Sequence, residues 1–255
     1  SAQAQTYENI EIIVVNDGST GADKQFFDNF PYPANKIKLI SKQNEGLAMA
    51  RNSGIQASKG EFFIPLDADD KIAPDFAEKT LKVMLEDEKL GVVYTDQQFF
   101  EGEDRIMPMM DFDFKKLLVV NHVSVCSLVR RKAYDDVKDQ NKVGYNPNMK
   151  FGYEDWDFWI SVAEQGWEFK CIHKPLFLYR KRGNSMSSNT ITKHDYLIAQ
   201  LLKNHSESFK KNYIEVIQEL QVRSKNFELQ VKDLQLDNMN NGWIIKKFIK
   251  NIFKR

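Results

Sequence analysis

Short apolar runs alternate with helix-length stretches through the first hundred residues. Glu11–Val15 (E-I-I-V-V) is apolar on both faces, as a buried parallel-type strand requires. In Asn16-Asp17-Gly18-Ser19-Thr20, Gly18 permits a tight turn, and Ser19 or Thr20 is placed to cap a helix over Ala22–Phe30. A short strand over Ile37–Ile40 and a helix over Leu47–Ser58 come next. Gly60 then breaks the chain, and Phe62, Phe63, Ile64 and Leu66 predict another buried strand. A helix over Pro74–Glu88 starts with proline at a permitted first-turn position. Gly91–Gln98 is a further strand, and Phe99–Pro108 reads as a hairpin or irregular excursion. This alternation predicts an α/β domain with a doubly wound, mostly parallel sheet flanked by helices. Ser1–Tyr7 reads as the tail of a helix, which places a first strand ahead of this sequence.

The pattern then changes. Phe114–Val120 reads as a short helix, Ser124–Arg130 as a strand, Arg131–Val137 as a helix and Val143–Lys150 as a loop. A helix opens at Glu154 and runs to about Gln165, where Gly166 ends it. Glu168–Ile172 and Pro175–Tyr179 follow as extended segments, then a basic, hydroxyl-rich loop over Arg180–Ser188. From Lys193 the chain is helical. Tyr213, Ile217, Leu220, Ser224, Phe227, Val231 and Leu234 keep a heptad-like spacing, which suits a helix packed on the domain or a short coiled coil joining two copies. Trp243–Arg255 combines a broad apolar face with five cations and no acid, the composition of a helix lying on an anionic membrane. Residues 1–190 are therefore expected to form the α/β domain, 191–240 a helical extension and 241–255 a basic amphipathic helix.

Composition narrows the function classes. The 255 residues carry no net charge, so the chain offers no electrostatic footprint for nucleic acid. Cys126 and Cys171 both sit in apolar stretches, which favours buried free thiols and a reducing, cytoplasmic compartment. No apolar run has the length of a membrane span.

The candidate chemistry is acidic. Phe62–Leu66 runs straight into Asp67-Ala68-Asp69-Asp70, and in an extended chain Asp67 and Asp69 point the same way. Ligands of open α/β sheets bind at the carboxyl ends of strands. Hard oxygen donors suit Mg²⁺ or Mn²⁺ better than zinc, although the same acids would also serve as a turn capping the helix that follows. Asp17 lies at a second strand end, and Arg51 is either solvated, paired with a carboxylate or in contact with an anion. Glu154, Asp155 and Asp157 fall in the first turn of a helix, where the dipole favours anions. Three aromatics crowd them, and apolar surroundings make a carboxylate a better base.

Taken together, these blocks resemble the family 2 glycosyltransferases of the GT-A fold. The resemblance covers residues 1 to about 188. It rests on Gln5-Thr6-Tyr7 with Glu11–Thr20, Asn44-Glu45-Gly46 with Ala50-Arg51-Asn52, Leu66–Asp70, Glu154-Asp155-Trp156-Asp157 and Pro175–Arg180. It implies inverting transfer of a sugar from a nucleotide-sugar, most often UDP-linked, to a hydroxyl of a glycan or lipid-linked acceptor. By similarity, Asp17 binds the base, Arg51 and Asp67 hold the nucleotide and sugar, and Asp69 ligates Mn²⁺ or Mg²⁺. Asp155 is then the general base. Arg180 and Arg182 face the diphosphate, Arg182 standing where many relatives have a histidine. Acceptor contacts are expected from His122, Ser124 and Glu154. The Gln-x-x-Arg-Trp motif of processive synthases does not occur, which favours single additions. The rival readings are a sugar-nucleotide-binding relative without turnover and a haloacid-dehalogenase-type phosphatase with Asp67 as nucleophile.

Overall fold

Strand β1 (Ile12–Asp17) pairs in parallel with β2 (Ile37–Lys42), with helix α1 (Gly21–Asp28) between them. The turn after β1 is made by Asn16, whose Oδ1 accepts from the Ser19 amide, and neither Ser19 nor Thr20 caps α1 with its side chain. Helix α2 (Leu47–Ala57) follows β2. These and all later elements come from a computed structural model, which describes residues 1–31, 37–141, 143–181 and 192–252, with backbone alone at 141 and 233–252.

The elements that follow build a second, mixed sheet: β3 (Phe62–Phe63), β4 (Lys71–Ile72), β5 (Leu90–Phe100), β6 (Ile106–Met107), β7 (Leu128–Arg130) and β8 (Glu168–Arg180). Its order is β3-β7-β5-β8-β4, with β6 paired to β5. Only β5 and β8 run parallel; β3–β7, β5–β7, β5–β6 and β4–β8 are antiparallel. The α/β class stands, but the sheet is mixed where the alternation implied parallel strands. The reason is β7, which inserts antiparallel between β3 and β5. β7 is also shorter than its apolar run. Ser124 Oγ donates to the Cys126 carbonyl and Ser127 Oγ to the Ser124 carbonyl, local bonds that compete with a ladder.

Both faces of β5 are buried, as its continuous apolar run demands: Val92 and Val93 are each fully covered. Helix α3 (Phe76–Met84) covers one face, where Met84 packs with Leu90, Val93 and Leu128. Phe76 packs with Ile72, Cys126, Leu176 and Phe177. Helices α5 (Arg131–Asn141) and α6 (Glu154–Glu164) bring the aromatics Tyr134, Phe158 and Trp159: Tyr134 meets Phe63 and Trp159 meets Phe169 edge-on, and Phe158 packs tilted on Tyr134. Cys126 and Cys171 are buried free thiols. At the start of the chain a 3₁₀ turn over Ala2–Ala4 replaces the expected helix tail. Gln5 and Thr6 then bond to Pro74, Ala73 and Ala77 at the start of α3.

The contact pattern divides the chain into Ser1–Ser208 and Phe209–Arg255. Helix α7 (His194–Asn204), which the sequence assigns to the extension, packs on the first unit. Its Asn204 Nδ2 donates to Asp157 Oδ1 at 2.6 Å, and the next residue, His205, sits between Asp157 and Glu164. A short helix α8 (Ser206–Lys211) and the long α9 (Tyr213–Ile252) complete the chain. On α9, Tyr213, Ile217, Leu220 and Phe227 of the heptad stripe are exposed. The side chains of Trp243–Arg255 lie outside the described residues. No helix among the described residues is long and apolar enough to cross a membrane.

Candidate active site

The acids at the end of β3 do not lie on an extended strand. Ladder pairing stops at Phe63, and the Asp70 amide bonds back to the Asp67 carbonyl at 3.1 Å, closing a turn over Asp67–Asp70. The three carboxylates therefore go to different places. Asp67 is half-buried, Asp69 exposed and Asp70 buried. Asp70 Oδ1 accepts the Arg180 amide at 2.8 Å, and Arg180 Nε donates to the Asp69 carbonyl at 2.6 Å. The end of β8 is thus stitched to the acid turn. Burial, with the Asp67 and Asp69 charges in support, pushes the Asp70 carboxyl up to about 7. The Asp69 carboxylate has no hydrogen-bond or ion-pair partner among the described residues.

Arg51 joins this turn to a distant part of the chain. Its Nη2 donates to Asp67 Oδ1 at 2.9 Å and its Nη1 to Glu154 Oε1 at 2.6 Å, and its side chain is only 7% exposed. The Tyr145 ring lies 5.6 Å from its guanidinium. Burial alone would weaken its charge, but Asp67 and Glu154 more than compensate and raise its pKa. The arginine is a buried clamp, with Nε the one nitrogen left without a partner. Next to it, Asn52 is 1% exposed. Its Oδ1 accepts from the Tyr145 amide and the Tyr134 hydroxyl, and its Nδ2 donates to the Tyr145 carbonyl. One turn of α2 therefore fixes both the acid turn and the loop before α6.

That loop is strained where it delivers Glu154 and Asp155. Gly152 has φ 123° and Tyr153 φ 61°, a left-handed conformation costly for an aromatic residue by about 1–3 kcal/mol. Tyr153 is held there by its ring against Trp156 and by its hydroxyl on His194 Nδ1 at 2.9 Å. Asp155 Oδ1 accepts the Trp156 amide at 2.8 Å, and Asp155 Oδ2 accepts Asn121 Nδ2 at 2.9 Å. Trp156 Nε1 donates to the carbonyl of Leu117, at the end of helix α4 (Phe114–Leu117), which keeps the Asn121 loop beside α6. Burial first, and the neighbouring Glu154 charge second, push the Asp155 carboxyl well above the ordinary carboxylate range.

The other expected site residues fare differently. Asp17 accepts the Glu45 and Gly46 amides at the N-terminus of α2, with 2.8 Å to Gly46. The loop after β1 presses so close that a Cβ at Gly18 would lie 2.7 Å from the Asn44 nitrogen. His122 and Ser124 are 4% and 1% exposed and use their polar atoms internally. His122 Nδ1 bonds the Val120 carbonyl and Nε2 accepts the Asp113 amide. Arg182 lies outside the described residues. The sequence assigns no role to Asn52, Asp70 or Asn121. For Asn52 the signal was there, a polar side chain amid the small apolar residues of α2; Asn121 carried none.

The profile of glycosyl transferase family 2 matches residues 1–152, more than half the chain. The chain belongs to the family 2 glycosyltransferases. It is 29% identical over 205 residues to an uncharacterized glycosyltransferase of Haemophilus influenzae, covering 72% of this chain and 60% of that one. It is 25% identical over 225 residues to the chondroitin synthase of Pasteurella multocida, covering 84% of this chain and 22% of the synthase. This family 2 chain thus spans less than two thirds of the length of these curated relatives. Two solved structures share its GT-A fold. Staphylococcus aureus TarS 1–349 in complex with UDP-GlcNAc has a TM-score of 0.56 at 17% identity, covering 79% of this chain and 66% of that TarS 1–349 chain. The mannosyltransferase PcManGT from Pyrobaculum calidifontis, in complex with GDP-Man and Mn²⁺, has a TM-score of 0.55 at 15% identity, covering 82% and 58%.

Proposed function

We propose that this chain transfers a sugar from a nucleotide-sugar, UDP-linked, to a hydroxyl of a glycan or lipid-linked acceptor in one inverting displacement. The observation that carries the reading is the Arg51 bridge, which ties Asp67 of the acid turn to Glu154, the neighbour of Asp155. Residues far apart in sequence meet there as a donor side and a base side. The nucleotide-sugars bound by TarS and PcManGT support a donor of this class.

In this reading Asp17 and Asp67 face the nucleoside, while Arg51 acts by positioning, since both its terminal nitrogens are engaged by carboxylates. Arg180, at the end of β8 beside the acid turn, contacts the diphosphate. The acceptor hydroxyl gives its proton to Asp155 as its oxygen bonds the anomeric carbon. The bond from that carbon to the diphosphate breaks, and its electron pair leaves with the diphosphate. A carboxylate base of this kind contributes typically ~10²–10⁴-fold. Asn121 holds it in place, and its raised pKa makes it the stronger base.

A divalent cation fits the acid turn. Asp69 offers an exposed carboxylate without a protein partner, and Mg²⁺ or Mn²⁺ needs only one or two carboxylates beside substrate phosphates and water. Such an ion would offset charge on the leaving diphosphate. Calorimetry of UDP binding with and without Mn²⁺ tests this. Wild type is expected to bind UDP with metal dependence and Asp69→Asn without it. Identical metal dependence in the two proteins would remove Asp69 from the role.

A further inference from the structure

A second group of ligating side chains lies on the sheet and uses none of the residues above. Asp96 on β5 and Cys171 and His173 on β8 bring a carboxylate oxygen, a thiol sulfur and an imidazole nitrogen within 4.8 Å of one another. Cys171 Sγ is 3.8 Å from His173 Nδ1, and Nδ1 is 3.6 Å from Asp96 Oδ1. Around a tetrahedral zinc, Zn–S and Zn–N/O bond lengths give ligand separations of ~3.4–3.6 Å. The spacing already present is thus close to what the metal requires.

The backbone departs from regular pairing at this point. Thr95 pairs with Ile172 and Asp96 with Pro175, so His173 and Lys174 bulge out of β8. Bulges re-aim side chains, and this one sets the imidazole beside Cys171 and Asp96. The other ring nitrogen, Nε2, lies 3.2 Å from Asp111 Oδ1. A metal-bound histidine characteristically donates its remaining N–H to a carboxylate, which fixes the tautomer that leaves Nδ1 free to ligate. Asp111 is in turn held over the sheet. Asp96 Oδ1 accepts the Met109 amide at 2.7 Å, Tyr94 donates its hydroxyl proton to the Met110 carbonyl at 2.6 Å, and Phe112 stacks on Phe169 at 4.1 Å. Asp96 and Cys171 are buried, while His173 is about half exposed, leaving a path for entry and a fourth position for water.

We propose that Asp96, Cys171 and His173 bind Zn²⁺, with Asp111 orienting His173. Sulfur and nitrogen donors select zinc over the Mg²⁺ or Mn²⁺ suited to Asp69. One thiolate and one carboxylate neutralise the ion. The metal fastens Met109–Phe112 to β5 and β8, just ahead of the α4–Asn121 segment that holds Asp155.

The test uses untagged protein stripped with chelator, reloaded with Zn²⁺ or Co²⁺ and gel-filtered. Wild type is expected to retain about one zinc per chain. Its Co²⁺ form should show the visible bands of a tetrahedral site and a thiolate charge-transfer band. The half-exposed His173→Ala, which leaves the core intact, and Cys171→Ala should lose both signals, Cys126→Ala should keep them, and Asp111→Asn should bind ~10–100-fold more weakly. Mn²⁺-dependent UDP binding should be unchanged in His173→Ala, which separates this site from the one at Asp69. Wild type without retained metal, or His173→Ala binding as wild type does, would overturn the proposal and leave an ion-paired histidine instead.

Discussion

Arg51 shows how much one residue organises. Its guanidinium spans two carboxylates from distant parts of the sequence, and fork-shaped donors do this where a lysine's point charge cannot. Removing it leaves Glu154 buried beside Asp155 with no cation between the acid turn and α6. Breaking one side of a buried ion pair costs ~3–5 kcal/mol. Arg51→Ala is therefore expected to lose stability of that order in urea denaturation, with Arg51→Lys recovering part of it. A loss below ~1 kcal/mol, the level of a surface pair, would mean that the bridge does not hold the two halves together.

Among the elements, α6 ties together segments that are distant in sequence. Its left-handed entry at Tyr153 presents Glu154 and Asp155, and Glu164 at its far end holds His205 and Ser208, just past α7. The anchor titrates. His205 lies 3.0 Å from Glu164 Oε2 and 3.3 Å from Asp157 Oδ1. Burial works against the imidazolium, but the two carboxylates prevail and raise its pKa to about 9. A histidine with a raised folded pKa adds stability that is fully present below its unfolded value near 6.5 and is lost as pH rises through about 9. The melting temperature should accordingly fall as pH rises from about 6.5 to above 9, and His205→Gln should flatten that fall. Equal slopes in both proteins would contradict the assignment. On α9 the exposed heptad residues are those the periodicity marked for a partner, which keeps self-association through this helix a proposal.

For the whole molecule, period and punctuation made the alternating elements legible. β1, α2, β5, α6 and the hairpin of β5 with β6 lie where the apolar runs and glycines predict them. The sheet's mixed order was not legible, because the direction in which β7 inserts is decided by tertiary packing and leaves no local pattern. The extended geometry expected for Asp67–Asp69 gives way to a turn for a related reason. The apolar run Phe62–Leu66 looks like five strand residues, yet only two pair, and Ile64 and Leu66 pack against the core around Phe76 and Phe177 instead. Motif and context single out Asp67, Asp155 and Arg51, but the Arg51 bridge from Asp67 to Glu154 is a through-space fact. His122 and Ser124 were chosen by position along the chain, which says nothing of burial.

The central claim is that Asp155, brought beside the acid turn by the Arg51 bridge, removes the acceptor's proton. Transfer from a labelled nucleotide-sugar, measured beside UDP calorimetry in wild type and Asp155→Asn, tests it most directly. The account predicts UDP affinity within about twofold of wild type and a transfer rate lower by ~10²–10⁴-fold. Wild type should also gain activity with rising pH as the raised Asp155 carboxyl ionises. Undiminished transfer by Asp155→Asn would contradict it.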